Sequence, residues 1–225
     1  VQTCALPICL CINSNLGIPE KLFNEFVDKI EKILDKELVF EFIIFTSCDT
    51  WGKQAEYIRN GMDFDILYQN INDYLQKSKY TLIFINTFNV LSYTGWNEYI
   101  QNILELRRKY NTTKQLIWFD IPQLVNPEFL NPKLLPEMID ELEKSIEFMK
   151  NNIETKETHH KGFKDFEVSK VQRLIDYIKS DTEYNRELEM KNFYLFWTEM
   201  DNRRNTKFVN IFPELEWFWE KCKNV

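Results

Sequence analysis

The chain has 225 residues, of which 44% are hydrophobic and 28% charged, a composition typical of a globular protein with one sizeable core. A net charge of −7 argues against a protein that binds nucleic-acid phosphates, because such proteins need clustered Lys and Arg. No apolar run reaches the roughly 18 residues of a membrane helix, and five Cys without framework spacing indicate a reducing compartment. We therefore expect a cytoplasmic protein that does not bind membranes, and nucleic acid is an unlikely partner on charge alone.

The chain begins with VQTCALPI, residues 1–8, and has no initiating Met. This segment resembles adapter-derived sequence at the edges of assembled reads. We predict that residues 1–8 are extraneous to the fold, which would then begin at residue 9.

Four strand-like apolar runs alternate with amphipathic helical segments in the first half of the chain. The runs cover residues 9–12, 38–45, 80–85 and 115–119. The segments between them repeat apolar residues at the spacing of a helix. This alternation predicts βα units and a parallel sheet, and the nearly continuous apolar runs favour a sheet that is buried on both faces.

The second half of the chain lacks strand-like runs. Residues 121–136 contain several Pro residues and predict a long loop. Apolar stripes then predict helices near residues 135–149 and 166–178, and ring-rich segments predict two more near residues 184–200 and 214–222. We therefore predict an α/β region in residues 9–150 and a helical extension in residues 151–225.

All four predicted strands end in polar segments. The polar residues at these ends are Asn13, Ser14, Asn15, Ser47, Asp49, Asn86, Asn89 and Asp120. Because parallel strands place their carboxyl ends at one edge of a sheet, we expect these side chains to surround a shared ligand site. The alternative is that they form turns and helix N-caps.

One segment carries a family resemblance. Residues 45–52 (FTSCDTWG), followed by residues 54–61 (QAEYIRNG), resemble the fourth strand and loop of radical S-adenosylmethionine (SAM) enzymes of the twitch or SPASM type, in which a Ser-x-Asp turn precedes Arg-x-Gly. Residues 193–215 resemble the tail of phage-type and environmental twitch proteins. The resemblance implies a partial (β/α) TIM barrel of six strands, of which this N-terminally truncated chain would hold about four.

The resemblance also implies roles for the polar strand ends. Ser47 and Arg59 would bind the ribose and the methionine carboxylate of SAM, and the planar guanidinium of Arg suits a carboxylate. The implied cofactor-binding residues are Asn13, Ser14, Asn15, Ser47, Asp49 and Arg59, and the implied substrate-binding residues are Asn86, Asn89 and Asp120. The implied cofactors are SAM and a [4Fe-4S] cluster, and the implied partners are an electron donor such as flavodoxin or ferredoxin and a small-molecule or peptide substrate.

The sequence departs from this family in its cysteines. The family holds its cluster with a Cys-x3-Cys-x2-Cys loop, whereas Cys4, Cys9 and Cys11 are separated by four and one residues. We therefore assign no metal ligands and expect a fragment of a radical SAM enzyme that is inactive alone. The main alternative is a non-catalytic binding or interaction protein with a barrel-like α/β fold, and a further one is a hydrolytic or isomerising barrel enzyme.

Overall fold

A computed structural model describes residues 8–36, 39–181 and 183–225. Four parallel strands alternate with helices, and further helices follow the last strand. The strands are β1 (Ile8–Asn13), β2 (Val39–Ser47), β3 (Thr81–Ile85) and β4 (Ile117–Asp120). The predicted α/β class with C-terminal helices is confirmed. Ile8, which we placed in the extraneous segment, is the first residue of β1 and pairs with Val39, whereas residues 1–7 lie outside the described ranges.

The helices vary from one turn to five. They are α1 (Glu20–Leu34), α2 (Gly52–Ile58), α3 (Phe64–Lys77), α4 (Trp96–Tyr110), α5 (Ile139–Lys150), α6 (Asp165–Lys179), α7 (Arg186–Arg204), α8 (Phe208–Ile211) and α9 (Glu216–Lys223). Side chains mark the ends of α7, since Asn185 caps its first turn and Asn205, in the left-handed region at φ 52°, ends it. No helix in the described ranges is long and apolar enough to cross a bilayer.

The sheet has the order β1-β2-β3-β4, and each strand pairs in parallel with the next along the chain. Right-handed crossovers between such neighbours place their helices on one face of the sheet. The side chains on that face are buried: Phe42, Ile44, Thr46, Leu82, Phe84, Ile117 and Phe119. The opposite face, which we call the open face, is half-buried or exposed: Cys9, Cys11, Asn13, Glu41, Ile43, Phe45, Ser47, Ile83, Ile85, Trp118 and Asp120. The expectation that both faces are buried is therefore wrong for the described residues.

Helix α6 covers the outer edge of β4. The buried Arg107 of α4 donates from Nε to the carbonyl of Ile117 at 3.0 Å and binds both carboxylate oxygens of Glu167 on α6, at 2.9 and 2.5 Å. Lys170 of α6 donates to the carbonyl of Phe119 at 3.3 Å. Arg107 is only 1% exposed and connects α4, β4 and α6.

The core is rich in aromatic rings, in keeping with the 18 Phe, 10 Tyr and 6 Trp of the sequence. Trp96 lies at its centre, with the rings of Phe88 and Tyr99 each 5.4 Å away. Its indole nitrogen donates to Ser145 Oγ at 2.8 Å, which joins α4 to α5. These contacts hold together helices that pack against the sheet. The candidate site lies at the ends of the strands.

Candidate functional site

The polar strand ends lie along one edge of the sheet, but their side chains divide between its two sides. Pairing aligns Ser47 with Ile85 and Ile85 with Asp120, so Ser47 and Asp120 both belong to the open face. Asn13 joins them there, because it aligns with Phe45. The backbone of Asn86 continues the β3 ladder, its N–H donating to the carbonyl of Asp120 at 2.9 Å. The Asn86 side chain therefore points to the opposite face from Ser47.

The two Asn residues after β3 bond to the local backbone. Asn86 is fully buried, and its amide donates to the carbonyl of Asp49 at 2.9 Å. Asn89 donates to the carbonyl of Thr87 at 3.1 Å and accepts from the N–H of Leu91 at 2.9 Å. Both side chains therefore shape the loop that follows β3.

The end of β1 lies at the outer side of the sheet. Asn13 and Asn15 are exposed, and Asn15 Oδ1 accepts from the N–H of Gly17 at 3.0 Å in a tight turn. The backbone of Ser14 extends the ladder by donating to the carbonyl of Phe45 at 2.9 Å. None of these three residues lines the cavity that contains Arg59.

Asp49 and Arg59 form the best-defined polar pair at the strand ends. Arg59, at the end of α2, donates from Nε and Nη2 to the Asp49 carboxylate at 2.8 and 3.0 Å. The same carboxylate accepts from the N–H of Thr87 at 3.0 Å, so it also ties the β3 exit to the β2 exit. The Asp49 side chain is 7% exposed and that of Arg59 is 33% exposed. Arg59 Nη1 takes no part in this pairing and remains a donor for another group.

A cavity of about 330 Å³ lies between this pair and α7, and we call it the Arg59 pocket. Its walls are Asp49, Ile58, Arg59, Thr87, Asn89, Leu124, Leu130, Phe196, Trp197 and Arg204. Arg204, at the end of α7, donates from Nη1 to the carbonyl of Tyr57 at 2.8 Å. Two guanidinium groups thus line the cavity with one carboxylate, a local charge of +1 that favours an anionic ligand.

Tyr57 holds α7 against α2 and so fixes the pocket walls. Its ring stacks on Trp197 with centroids 4.8 Å apart, and its hydroxyl donates to Asp201 Oδ1 at 2.9 Å. Burial, followed by the negative charge of Asp201, raises the pKa of Tyr57, so the phenol stays protonated and donates. Asp201 also accepts from the N–H of Phe208 at 2.7 Å, which anchors α8 in the same cluster.

The sequence alone did not identify the α7 side of this pocket. Phe196 and Trp197 were predicted only as part of a ring-rich helix, and Arg204 was assigned no role. No local spacing relates them to Arg59, because Arg204 contacts Tyr57 across 147 positions of sequence. The mixture of aromatic and Arg residues in residues 193–204 was the sequence feature that could have indicated this side of the pocket.

Asp120 lies apart from the Arg59 pocket. Its side chain is 53% exposed and pairs with Lys170 of α6 at 2.9 Å. It lines two cavities at the open face, described below. The structure therefore brings Asp49, Arg59 and Asn89 together around one cavity and places Asn13, Ser47 and Asp120 elsewhere.

The described cysteines do not fit a [4Fe-4S] cluster. Cys9 and Cys11 lie on the open face with their sulfur atoms 3.6 Å apart. Cys48, directly after β2, and Cys222, in α9, are both buried. Burial raises the pKa of the Cys48 and Cys222 thiols to about 12, while cluster ligation requires thiolates. Within the described ranges, no three metal-ligating side chains gather, and Cys4 lies outside those ranges.

The cysteine environments predict selective alkylation of the folded protein. Iodoacetamide should label Cys9 and Cys11, which are exposed, and should spare Cys48, whose buried thiol donates to the carbonyl of Thr50 at 2.9 Å. The hydrogen bond with Cys11 raises the pKa of Cys9 to about 11, so labelling of Cys9 should accelerate as the pH rises toward that value. Peptide mass spectrometry measures each site, and rapid labelling of Cys48 without denaturant would contradict its placement.

No protein family, curated protein or solved structure shows significant similarity to this chain.

Proposed function

We propose that this chain binds a small molecule that carries a carboxylate in the Arg59 pocket, and that the ligand is SAM, held through its methionine carboxylate. The supporting observation is the arrangement of Arg59, which lines a cavity of about 330 Å³ and donates from Nε and Nη2, but not from Nη1, to the Asp49 carboxylate. The choice of SAM comes from the resemblance of residues 45–61 to radical SAM enzymes. The net positive charge of the pocket lining supports the placement of the carboxylate of the ligand there.

The pocket suits a ligand that has both a carboxylate and an apolar or ring-containing part. Because Asp49, itself held by the N–H of Thr87, fixes the guanidinium in place, Arg59 loses little conformational freedom when a carboxylate binds, and affinity rises accordingly. Arg204 adds a second positive charge at the same cavity. The opposite wall, with Leu124 and Phe196, offers apolar surface for the remainder of the ligand.

The proposal is limited to binding by this chain alone. In radical SAM enzymes the bound cofactor and its cluster supply a 5′-deoxyadenosyl radical, but the described cysteines do not fit that cluster. We therefore propose a radical SAM enzyme fragment that binds the cofactor without cleaving it. A substrate and an electron donor would take part in a reaction only if a [4Fe-4S] cluster were supplied to the chain.

A pair of nucleosides that differ in the amino-acid part tests the carboxylate contact. We expect the chain to bind S-adenosylhomocysteine more tightly than methylthioadenosine, which lacks the carboxylate. Arg59→Met should weaken S-adenosylhomocysteine binding about tenfold, the size expected for a hydrogen bond to a charged group, and leave methylthioadenosine binding unchanged. Isothermal titration calorimetry measures both affinities.

Two variants control this experiment. Arg59→Lys keeps a positive charge beside Asp49 and should retain part of the preference, while Arg108→Met removes an exposed Arg that bonds to Asn152 and should change neither affinity. A wild-type chain that binds neither nucleoside contradicts the choice of SAM. SAM cleavage by the anaerobically reconstituted chain, with a stoichiometric cluster, contradicts its proposed inactivity.

A further inference from the structure

Two adjoining cavities lie on the open face, and neither shares a residue with the Arg59 pocket. One has a volume of about 250 Å³ and is lined mainly by apolar side chains of the sheet and of α6. The other has a volume of about 280 Å³ and lies beside the chain that leaves β4. Asp120 and Lys170 line both cavities and therefore mark the place where they meet.

The first cavity offers an apolar surface open to ligands. Phe45 and Ile83 pair across β2 and β3, and Ile83 pairs with Trp118 of β4, so the three side chains form one row. Phe166 of α6 closes the side of this row, its ring 5.7 Å from that of Trp118, and it is itself 48% exposed. An apolar body placed here removes these side chains from water, which favours binding.

The second cavity is positively charged. Lys170 and Arg173 are three residues apart on α6 and so lie on the same side of the helix. Lys170 is paired with Asp120 at 2.9 Å, whereas no carboxylate in the described ranges lies within ion-pair distance of Arg173. Two other acids of α6 do not line this cavity: Glu167 pairs with Arg107, and Asp176 accepts a hydrogen bond from Gln172. Two cations thus face one carboxylate beside the apolar row.

We propose that the open face binds an amphipathic anion, a medium-chain aliphatic carboxylate whose chain lies on Phe45, Ile83, Trp118 and Phe166 and whose head group contacts Arg173. This assignment rests on an apolar cavity that adjoins a guanidinium without an ion-pair partner among the described residues. An uncharged chain would make no ionic contact with Arg173, and a small anion would leave the apolar row exposed to water. This site is independent of the Arg59 pocket.

Decanoate, used below its micelle concentration, is the probe. We expect decanoate to bind more tightly than decanol, which has the same chain without the charge, and than acetate, which has the head group without the chain. In ¹H–¹⁵N spectra decanoate should shift the indole signal of Trp118 and leave that of Trp197 unchanged. Arg173→Met should weaken decanoate binding about tenfold, and Phe166→Ser should weaken it as well.

Matched surface variants separate this site from general adsorption. Arg108→Met and Leu195→Ser, the latter removing a Leu that is 57% exposed on α7, should leave decanoate binding unchanged. Equal binding of decanol and decanoate, or unchanged affinity in Arg173→Met, overturns the proposal. Arg59→Met should retain decanoate binding, so failure of the SAM proposal and failure of this one give different results.

Discussion

Replacing Glu167 by alanine should lower the free energy of unfolding by about 3–5 kcal/mol, the cost of leaving one member of a buried ion pair without its partner. The side chains of Arg107 and Glu167 are 2% and 0% exposed. Glu167 accepts two hydrogen bonds from the Arg107 guanidinium, and its Oε2 also accepts from the N–H of Lys164 at 3.1 Å at the start of α6. The substitution therefore removes a counter-charge and an N-terminal helix contact together.

Urea unfolding followed by circular dichroism measures this effect. The double variant Arg107→Met/Glu167→Ala should lose less stability than the sum of the two single variants, because it no longer buries an unpaired charge. Glu143→Ala is the matched control, since Glu143 pairs with Lys179 at the surface and its loss should cost about 0–1 kcal/mol. A cost for Glu167→Ala as small as that of Glu143→Ala would contradict the role assigned to the pair.

The strands could be predicted from the sequence because their signal is local. The third strand was expected at residues 80–85 and is Thr81–Ile85, and the fourth was expected at residues 115–119 and is Ile117–Asp120. The error at the fourth strand has a physical cause. Gln115 lies before the strand because its backbone is engaged in a turn: its N–H donates to Thr112 Oγ1 at 3.0 Å and its carbonyl accepts from the N–H of Thr112 at 2.9 Å.

The candidate site could be predicted only in part. Asp49 and Arg59 are ten positions apart and joined by one short helix, so the motif that suggested them also brings them together. The side to which Asn86 points depends on strand register, which tertiary packing sets, and this residue faces away from Ser47. The contribution of Arg204 and Trp197 depends on how α7 packs against α2, through Tyr57.

Asp49→Ala should lower both the stability of the protein and its affinity for S-adenosylhomocysteine. The Asp49 carboxylate accepts two hydrogen bonds from Arg59 and one from the N–H of Thr87, so its removal takes away one of the contacts between the exits of β2 and β3. We expect a loss of about 2 kcal/mol in the free energy of unfolding, since the half-buried N–H of Thr87 and the Arg59 guanidinium both lose their acceptor. Affinity should fall about tenfold, because a mobile guanidinium binds at a greater entropic cost.

A second aspartate at a strand end provides the control for Asp49→Ala. Asp120 is the last residue of β4 and also pairs with a cation, but its side chain is 53% exposed. Asp120→Ala should therefore cost less than about 1 kcal/mol and leave the nucleoside affinity unchanged. If Asp49→Ala resembled Asp120→Ala in both measurements, Arg59 would be held by something other than Asp49. The proposal that Arg59 is held in position before it binds the ligand carboxylate would then have no structural support, because Asp49 at the end of β2 would not be what holds it.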